Sequence, residues 1–293
     1  MEHNLTTDKF QYLQKIRQER LSEPFLEKIR PQTIDDIIGQ EEACISIENA
    51  LSSDRPKNII LLGPDGVGKK DAAMVIFKKI ISKDSSIFFN SKSKFIEYVP
   101  GVKYEEDYIG DPLFGAVYIP KKDGAFKIPR LKIGAVSHAN KGILFINKLC
   151  KLDINLLNKL ADVMEQKKVY IDIKYKDKKI PWHIYNIFKN GFPADFCLVA
   201  AINDENKIPV KLRRMCDFIN FRELTIEEIM KISQNAAKKA LFNLDFDAGL
   251  TIAKNAKSGS DAVKLIQRGA IMALKAGRIN ITIEDIEIIK NKL

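Results

Sequence analysis

The sequence predicts an α/β fold: one parallel sheet of five strands with flanking helices, followed by a small helical domain. Three observations predict it. First, five short apolar runs, Ile59–Leu62, Phe95–Val99, Ile143–Ile146, Phe196–Ile202 and Phe218–Phe221, alternate with helix-length segments from about Ile38 onward. That rhythm is the signature of a parallel sheet with covered faces. Second, a glycine-rich loop, Gly63-Pro64-Asp65-Gly66-Val67-Gly68-Lys69-Lys70, joins the first run to the apolar-periodic segment Ala72-Ala73-Met74-Val75-Ile76. Strand, glycine loop and helix in that order form a phosphate-loop unit. Third, strands stop after Phe221 and amphipathic helical patterns take over.

Taken in chain order, residues 8–22 form a charged segment with Phe10, Leu13, Ile16 and Leu21 at helical spacing, and Pro24 and Pro31 bracket an irregular entry. The five strand candidates and their helices follow. Thr225-x-x-Glu228 is a capping box that opens a helix to about Leu241, each side chain satisfying a backbone N–H of the first turn. Further helical patterns run from Asp247 to Ala256 and from Asp261 to Ala276, and a last one starts after Thr282 with Asp285 three residues on. This divides the chain into an N-terminal helical extension over 1–24, an α/β domain over 25–222 and a helical lid over 223–293.

The loop chemistry is specific. Its glycines let backbone N–H groups turn toward a polyphosphate, and Lys69 reaches the β and γ oxygens. The eighth position calls for a Ser or Thr hydroxyl on Mg²⁺, and the residue there is Lys70. An ammonium is a pure donor and ligates no metal. The apolar run Gly142 to Ile146 ends in Asn147-Lys148, where a P-loop ATPase carries a metal-binding Asp and commonly a Glu that activates water. Asn147 offers a neutral carbonyl and Lys148 no base. Read alone that run is a buried strand; read with the loop, it is a second altered half of one site. Nucleotide-binding candidates are Gly63, Pro64, Asp65, Gly66, Val67, Gly68, Lys69 and Lys70.

Composition narrows the function classes. No apolar run approaches the roughly 20 residues that span a bilayer, and the polar N-terminus is no signal peptide, so a cytoplasmic protein is expected. Cys44, Cys150, Cys197 and Cys216 show no CxxC spacing and read as buried thiols, while His3, His138 and His183 are scattered. No metal site is expected. The net charge of +10 and lysines at Lys121 to Lys132, Lys167-Lys168 and Lys174 to Lys179 leave two readings: a solvated basic surface, or nucleic-acid contact through stretches interleaved with Phe126, Tyr170 and Tyr175.

From about Leu21 to the C-terminus the chain resembles the AAA+ ATPase module of LonB-type (sporulation-associated) Lon proteases. The resemblance rests on Glu23-Pro24, Arg30-Pro31-x-Thr33-Ile34-Asp35-Asp36-Ile37-Ile38-Gly39-Gln40-Glu41-Glu42, Asp111-Pro112-Leu113-Phe114-Gly115-Ala116-Val117 and Gly134-Ala135-Val136-x-His138-Ala139. It continues through Asn158-Lys159-Leu160, Phe188-Lys189-Asn190-Gly191-x-Pro193-Ala194-Asp195-Phe196 and Asn235-Ala236-Ala237-Lys238-Lys239.

The resemblance implies sensor 1 at Asn203. It implies an arginine finger where Met215 stands in Arg213-Arg214-Met215-Cys216, and a sensor 2 arginine where Ser260 stands in Gly259-Ser260-Asp261-Ala262-Val263. Arg213 and Arg214 both remain open as replacement fingers. Phe114 and Tyr118 match a substrate-facing pore loop, and core packing stands as the other reading for both. A family member would carry a Ser-Lys peptidase domain after this module.

With Lys70, Asn147, Lys148, Met215 and Ser260 altered, the expected protein is a pseudo-ATPase: an assembly, regulatory or substrate-recruiting subunit in a homo- or hetero-oligomer, paired with a LonB-type protease or another AAA+ ring. ATP or ADP is expected to bind weakly or not at all, without a Mg²⁺ site. Lys69, Lys70 and Lys148 would place three positive charges around one volume. They would turn out to water, leaving the pocket empty, or gather an anion without metal. The alternatives are a divergent ATPase supporting ATP-dependent proteolysis, with Asp153 as a replacement acid, and a basic nucleic-acid-binding AAA+ protein. The loop strand and the Asn147 strand are expected to be adjacent.

Overall fold

The computed structural model describes residues 25–83, 86–101, 108–118, 130–170, 182, 186 and 189–290. The helix read over 8–22 and most of the two lysine-rich stretches, with Phe126 and Tyr175, lie outside the described residues. The chain folds as two compact units. One holds Glu42–Pro64 and Ala72–Phe221; the other holds the described residues up to Glu41, Asp65–Asp71 and everything described from Arg222 on.

The first unit is built on a parallel sheet. Its strands are β1 (Ile59–Leu62), β2 (Phe95–Tyr98), β6 (Ile143–Ile146), β9 (Cys197–Ile202) and β10 (Asp217–Asn220), in the spatial order β10-β1-β9-β6-β2. All five expected strands are present, each within one residue of its predicted ends. β6 and β9 are buried along their whole length, the near-continuous apolar pattern that a parallel strand covered on both faces requires. An antiparallel sheet of β3 (Tyr108–Asp111), β4 (Gly115–Tyr118) and β5 (Arg130–Ile133), and a short pair of β7 (Lys168–Val169) with β8 (Phe192–Pro193), are the other strands among the described residues of this unit.

Helix Glu41–Leu51 precedes β1, and helices Lys69–Ser82 and Ile154–Gln166 intervene between strands. Asp153 caps the last of them, its carboxylate accepting from Leu156 N at 2.9 Å. The core runs through Ile60, Leu144, Ile146, Leu160, Leu198, Ala200 and Leu212. Phe145, between Leu144 and Ile146, faces the other side of the sheet, where the Phe95 and Phe145 rings stack at 5.6 Å and Phe77 is edge-on to Phe89 at 5.1 Å.

Phe114 belongs to this core and is 2% exposed, with Lys159 Nζ lying 4.9 Å from its ring centre. That favours core packing, one of the two readings left open for it. The segment is held inward because Asp111 accepts from Leu113 N at 2.7 Å, and Val136 N donates to the Leu113 carbonyl at 3.0 Å. Tyr118, at the end of β4, is half-buried.

The second unit is mainly helical. Ile226–Lys239, Phe246–Asn255, Gly259–Lys275 and Ile283–Lys290 match the four predicted helices, and β11 (Asn243–Leu244) pairs in parallel with β12 (Asn280–Ile281). The capping box forms as read: Thr225 Oγ1 accepts from Glu228 N at 3.2 Å, and Glu228 accepts from Thr225 N at 2.8 Å. Ile229, Ala236, Phe242, Ile252, Ile266, Ala270 and Ile286 form its core.

Candidate functional site

Three predicted positions leave the same edge of the parallel sheet. Leu62 at the end of β1 is in register with Ile202 of β9, and Ile146 of β6 with Ala200 of β9. Gly63, Asn203 and Asn147 therefore follow three consecutive strands in that order. The expectation that the loop strand adjoins the Asn147 strand is corrected: β9 lies between them. Each strand has only two edges to pair. Those of β1 are taken by β9 and β10, and those of β6 by β9 and β2. The longest wholly buried run, Cys197–Ile202, takes the central place.

Gly63 holds a φ of 151° and donates to the Ile202 carbonyl at 3.1 Å. A Cβ there would run into the Phe221 carbonyl, so glycine is required by close backbone approach. Asn147 is half-buried, and its N–H donates to the Tyr98 carbonyl at 3.1 Å. Lys148 is exposed and left-handed, with φ 58° and ψ 54°, a conformation that costs a non-glycine residue roughly 1–2 kcal/mol. The loop after β6 is tied to the loop after β9, since the Cys150 thiol donates to the Asp204 carbonyl at 3.2 Å. Asn203 is exposed.

Arg213 is engaged locally, 3.0 Å from the Glu205 carboxylate and 5.8 Å from the Phe218 ring centre. Arg214 is exposed, and Met215 packs partly buried against the core. Asp153, weighed as a replacement acid, spends a carboxylate oxygen on its helix cap.

The rest of the loop belongs to the helical unit. Gly66 has φ 77° and Gly68 φ 93°, values that favour glycine and that let successive N–H groups converge. Helix Lys69–Ser82 starts immediately afterwards, and Lys69 is 7% exposed. Asp71 in its first turn lies 3.8 Å from Arg30. Ser260 is exposed, and its N–H donates to the Gly66 carbonyl at 3.1 Å.

Two features went unread in the sequence. The Gln40 side chain, 3% exposed, both donates to the Arg222 carbonyl at 2.9 Å and accepts from Arg222 N at 3.3 Å. Arg222 in turn grips Glu228 with two N–H donors, at 2.8 and 2.6 Å, and this holds the Glu228 carboxyl down to about 2. The capping box pointed to Glu228 but not to its arginine. Ser258 is the other: it is 7% exposed and caps helix Gly259–Lys275 by accepting from Asp261 N at 3.2 Å. The Ser-x-x-Asp spacing was the available signal.

The donor set sorts the groups that such a fold can hold. The left-handed glycines and the helix start at Lys69 fit a polyphosphate. Taken singly, Lys70 and Lys148 present ammonium donors and Asn147 a neutral amide, where a Mg²⁺ ion takes hydroxyl, carboxylate or carbonyl oxygens. Among the described residues, no group of three or more His, Cys, Asp or Glu side chains is placed to hold a metal ion.

Comparison with known proteins agrees with this geometry. Residues 37–178 match the family described as the Sigma-54 interaction domain. The chain is 38% identical over 285 residues to Lon protease 2 of Bacillus subtilis (strain 168), a match covering 94% of this chain and 51% of the relative. The chain is an AAA+ module related to Lon protease. This AAA+ module spans about half the length of that relative. It is also 22% identical over 262 residues to the replication factor C small subunit of Methanococcus vannielii, covering 88% of this chain and 65% of the relative.

Two solved structures share the fold. The Thermotoga maritima RuvB Holliday junction branch migration motor has a TM-score of 0.60 at 17% identity, covering 91% of this chain and 73% of that one. NtrX from Brucella abortus in complex with ADP has a TM-score of 0.61 at 14% identity, covering 97% and 60%. No described helix is long and apolar enough to cross a membrane.

Proposed function

We propose that this AAA+ module is catalytically silent and works as an assembly, regulatory or substrate-recruiting subunit, beside a LonB-type protease or within another AAA+ ring in the cytoplasm. The observation that carries the reading is the edge where β1, β9 and β6 end. Gly63 and Asn203 keep their places, while the residues that follow β6 are Asn147 and Lys148. Neither supplies a carboxylate for metal or for water, and Lys70 removes the hydroxyl ligand. The metal and an arginine finger together account for most of the rate in P-loop chemistry, the finger alone for roughly 10³–10⁵. ATP or ADP would be held, weakly, by the loop N–H groups and Lys69, with the lysine ammoniums in place of metal charge.

The test is phosphate release by the purified chain with ATP and Mg²⁺, beside isothermal titration with ATP in EDTA. Turnover at the level of buffer is expected, with nucleotide affinity that does not depend on metal. Robust Mg²⁺-dependent turnover, or binding that vanishes in EDTA and returns with Mg²⁺, overturns the reading.

A further inference from the structure

Two glycines of the loop share a left-handed backbone but not their surroundings. A Cβ on Gly68 would meet nothing nearer than Ile37 Cγ2, at 4.0 Å. A Cβ on Gly66 would lie 2.5 Å from Ser258 Oγ and 2.9 Å from the Cβ atoms of both Ser258 and Ser260. The Gly66 carbonyl accepts from Ser260 N at 3.1 Å, and a Cβ on Gly259 would stand 3.3 Å from that same carbonyl oxygen. Loop backbone and the first turn of helix Gly259–Lys275 thus meet directly, with Ile232 and Leu224 closing around Gly259 at 3.2 and 3.3 Å from the same Cβ position.

We propose that this contact is a latch that holds the glycine loop and the helical region as one body whether or not nucleotide is bound. A helix start exposes N–H groups that lack partners within the helix and that attract anions. Here the Ser260 N–H is used by the loop's own carbonyl, and the Asp261 N–H by Ser258 Oγ. In the family pattern an arginine stands at Ser260 and would reach across to a nucleotide. Serine is too short to do so, and the backbone bond joins the two elements without any ligand between them. The helical region then has no lever through which ATP could move it against the loop. This holds whether or not the module hydrolyses ATP, so it stands apart from the proposal of catalytic silence.

The test is residue-resolved amide hydrogen exchange on the whole chain. Without nucleotide, the Ser260 amide should exchange about 100-fold more slowly than an open amide, and saturating ATP should change that by less than about twofold. Gly66→Ala should release Ser260, whereas Gly68→Ala, at a φ of 93° that is also positive but with open space around it, should leave it protected. Should Gly66→Ala unfold the chain, seen as lost protection at Ala200 in β9, the other two measurements decide alone. Three results would overturn the latch: an unprotected Ser260 in the wild-type chain, protection that rises more than about tenfold with ATP, or release of Ser260 by Gly68→Ala.

Discussion

Replacing Glu228 by Gln tests the electrostatics of the helical unit quantitatively. The carboxylate accepts two N–H groups from Arg222 and one from Thr225, and it covers Gly39, where a Cβ would lie 2.6 Å from the carboxyl carbon. Arg222 holds the Glu228 carboxyl at about 2, against an ordinary 4.5. Taken at face value such a shift is worth about 3.4 kcal/mol. The arginine side chain is 54% exposed, so solvent screening reduces this to about 1–2 kcal/mol.

The sign follows from the direction of the shift. A carboxyl whose pKa is depressed by folding stabilises the fold above its unfolded value and loses that contribution as pH falls toward its folded one. The gap between wild type and Glu228→Gln in urea unfolding should therefore be about 1–2 kcal/mol at neutral pH and about 40% smaller at about pH 3.5. Arg222→Ala should show the same trend. A gap that stays constant or widens on acidification would refute the argument, because the stabilisation would then come from packing against Gly39 rather than from the ion pair.

Three further outcomes are expected. Phe145→Ala, which removes a ring with 0% exposure stacked on Phe95, should cost about 3–5 kcal/mol in unfolding experiments. Burial pushes the Cys216 thiol up to about 12 and the Cys197 thiol higher still, so a thiol reagent at mildly alkaline pH should modify half-buried Cys150 first; equal rates at the three would contradict the burial. Restoring Lys70→Thr, Asn147→Asp and Lys148→Glu together should make ATP binding tighten on addition of Mg²⁺, and a triple variant indifferent to Mg²⁺ in calorimetry would show that the lost ligands are not what separates this chain from a metal-using one.

The sequence made the strands and lid helices legible because their signals are local. Cys197–Ile202 is an unbroken apolar run, and Thr225 with Glu228 marks a helix start by spacing alone. The order of strands is not a local property. Whether β9 lies inside or outside the pair β1 and β6 depends on which edges remain to be paired, and no residue in Ile59–Leu62 records that. Phe114 was ambiguous for a similar reason: an aromatic next to Gly115 fits an exposed loop tip or a buried turn, and hydrogen bonds from Leu113 and Val136 decide between them. Gln40 carries no chemistry that a motif search would notice, and its role comes from a partner far along the chain, Arg222; Ser258, by contrast, left a local signal in its spacing from Asp261. Lys69, Lys70, Asn147 and Lys148 could be placed along the fold by position, since each closely follows an apolar run that forms a strand.

The central placement of β9 also has a consequence for how the chain is made. β1 pairs only with β9 and β10, and its partner Val199 is about 140 residues downstream of Ile59. At roughly 5–20 residues per second, the ribosome needs about 7–28 seconds to deliver it. During that interval Ile59–Leu62, buried in the finished fold, has neither of its neighbours. β2 and β6 come together far earlier, Phe95 with Ile143. Synthesis thus yields a two-strand fragment first and leaves the phosphate-loop strand as an apolar segment seeking a partner. Long-range pairing of this kind is slow and prone to association with other chains, so the nascent polypeptide, rather than the folded module, is the form most in need of a chaperone.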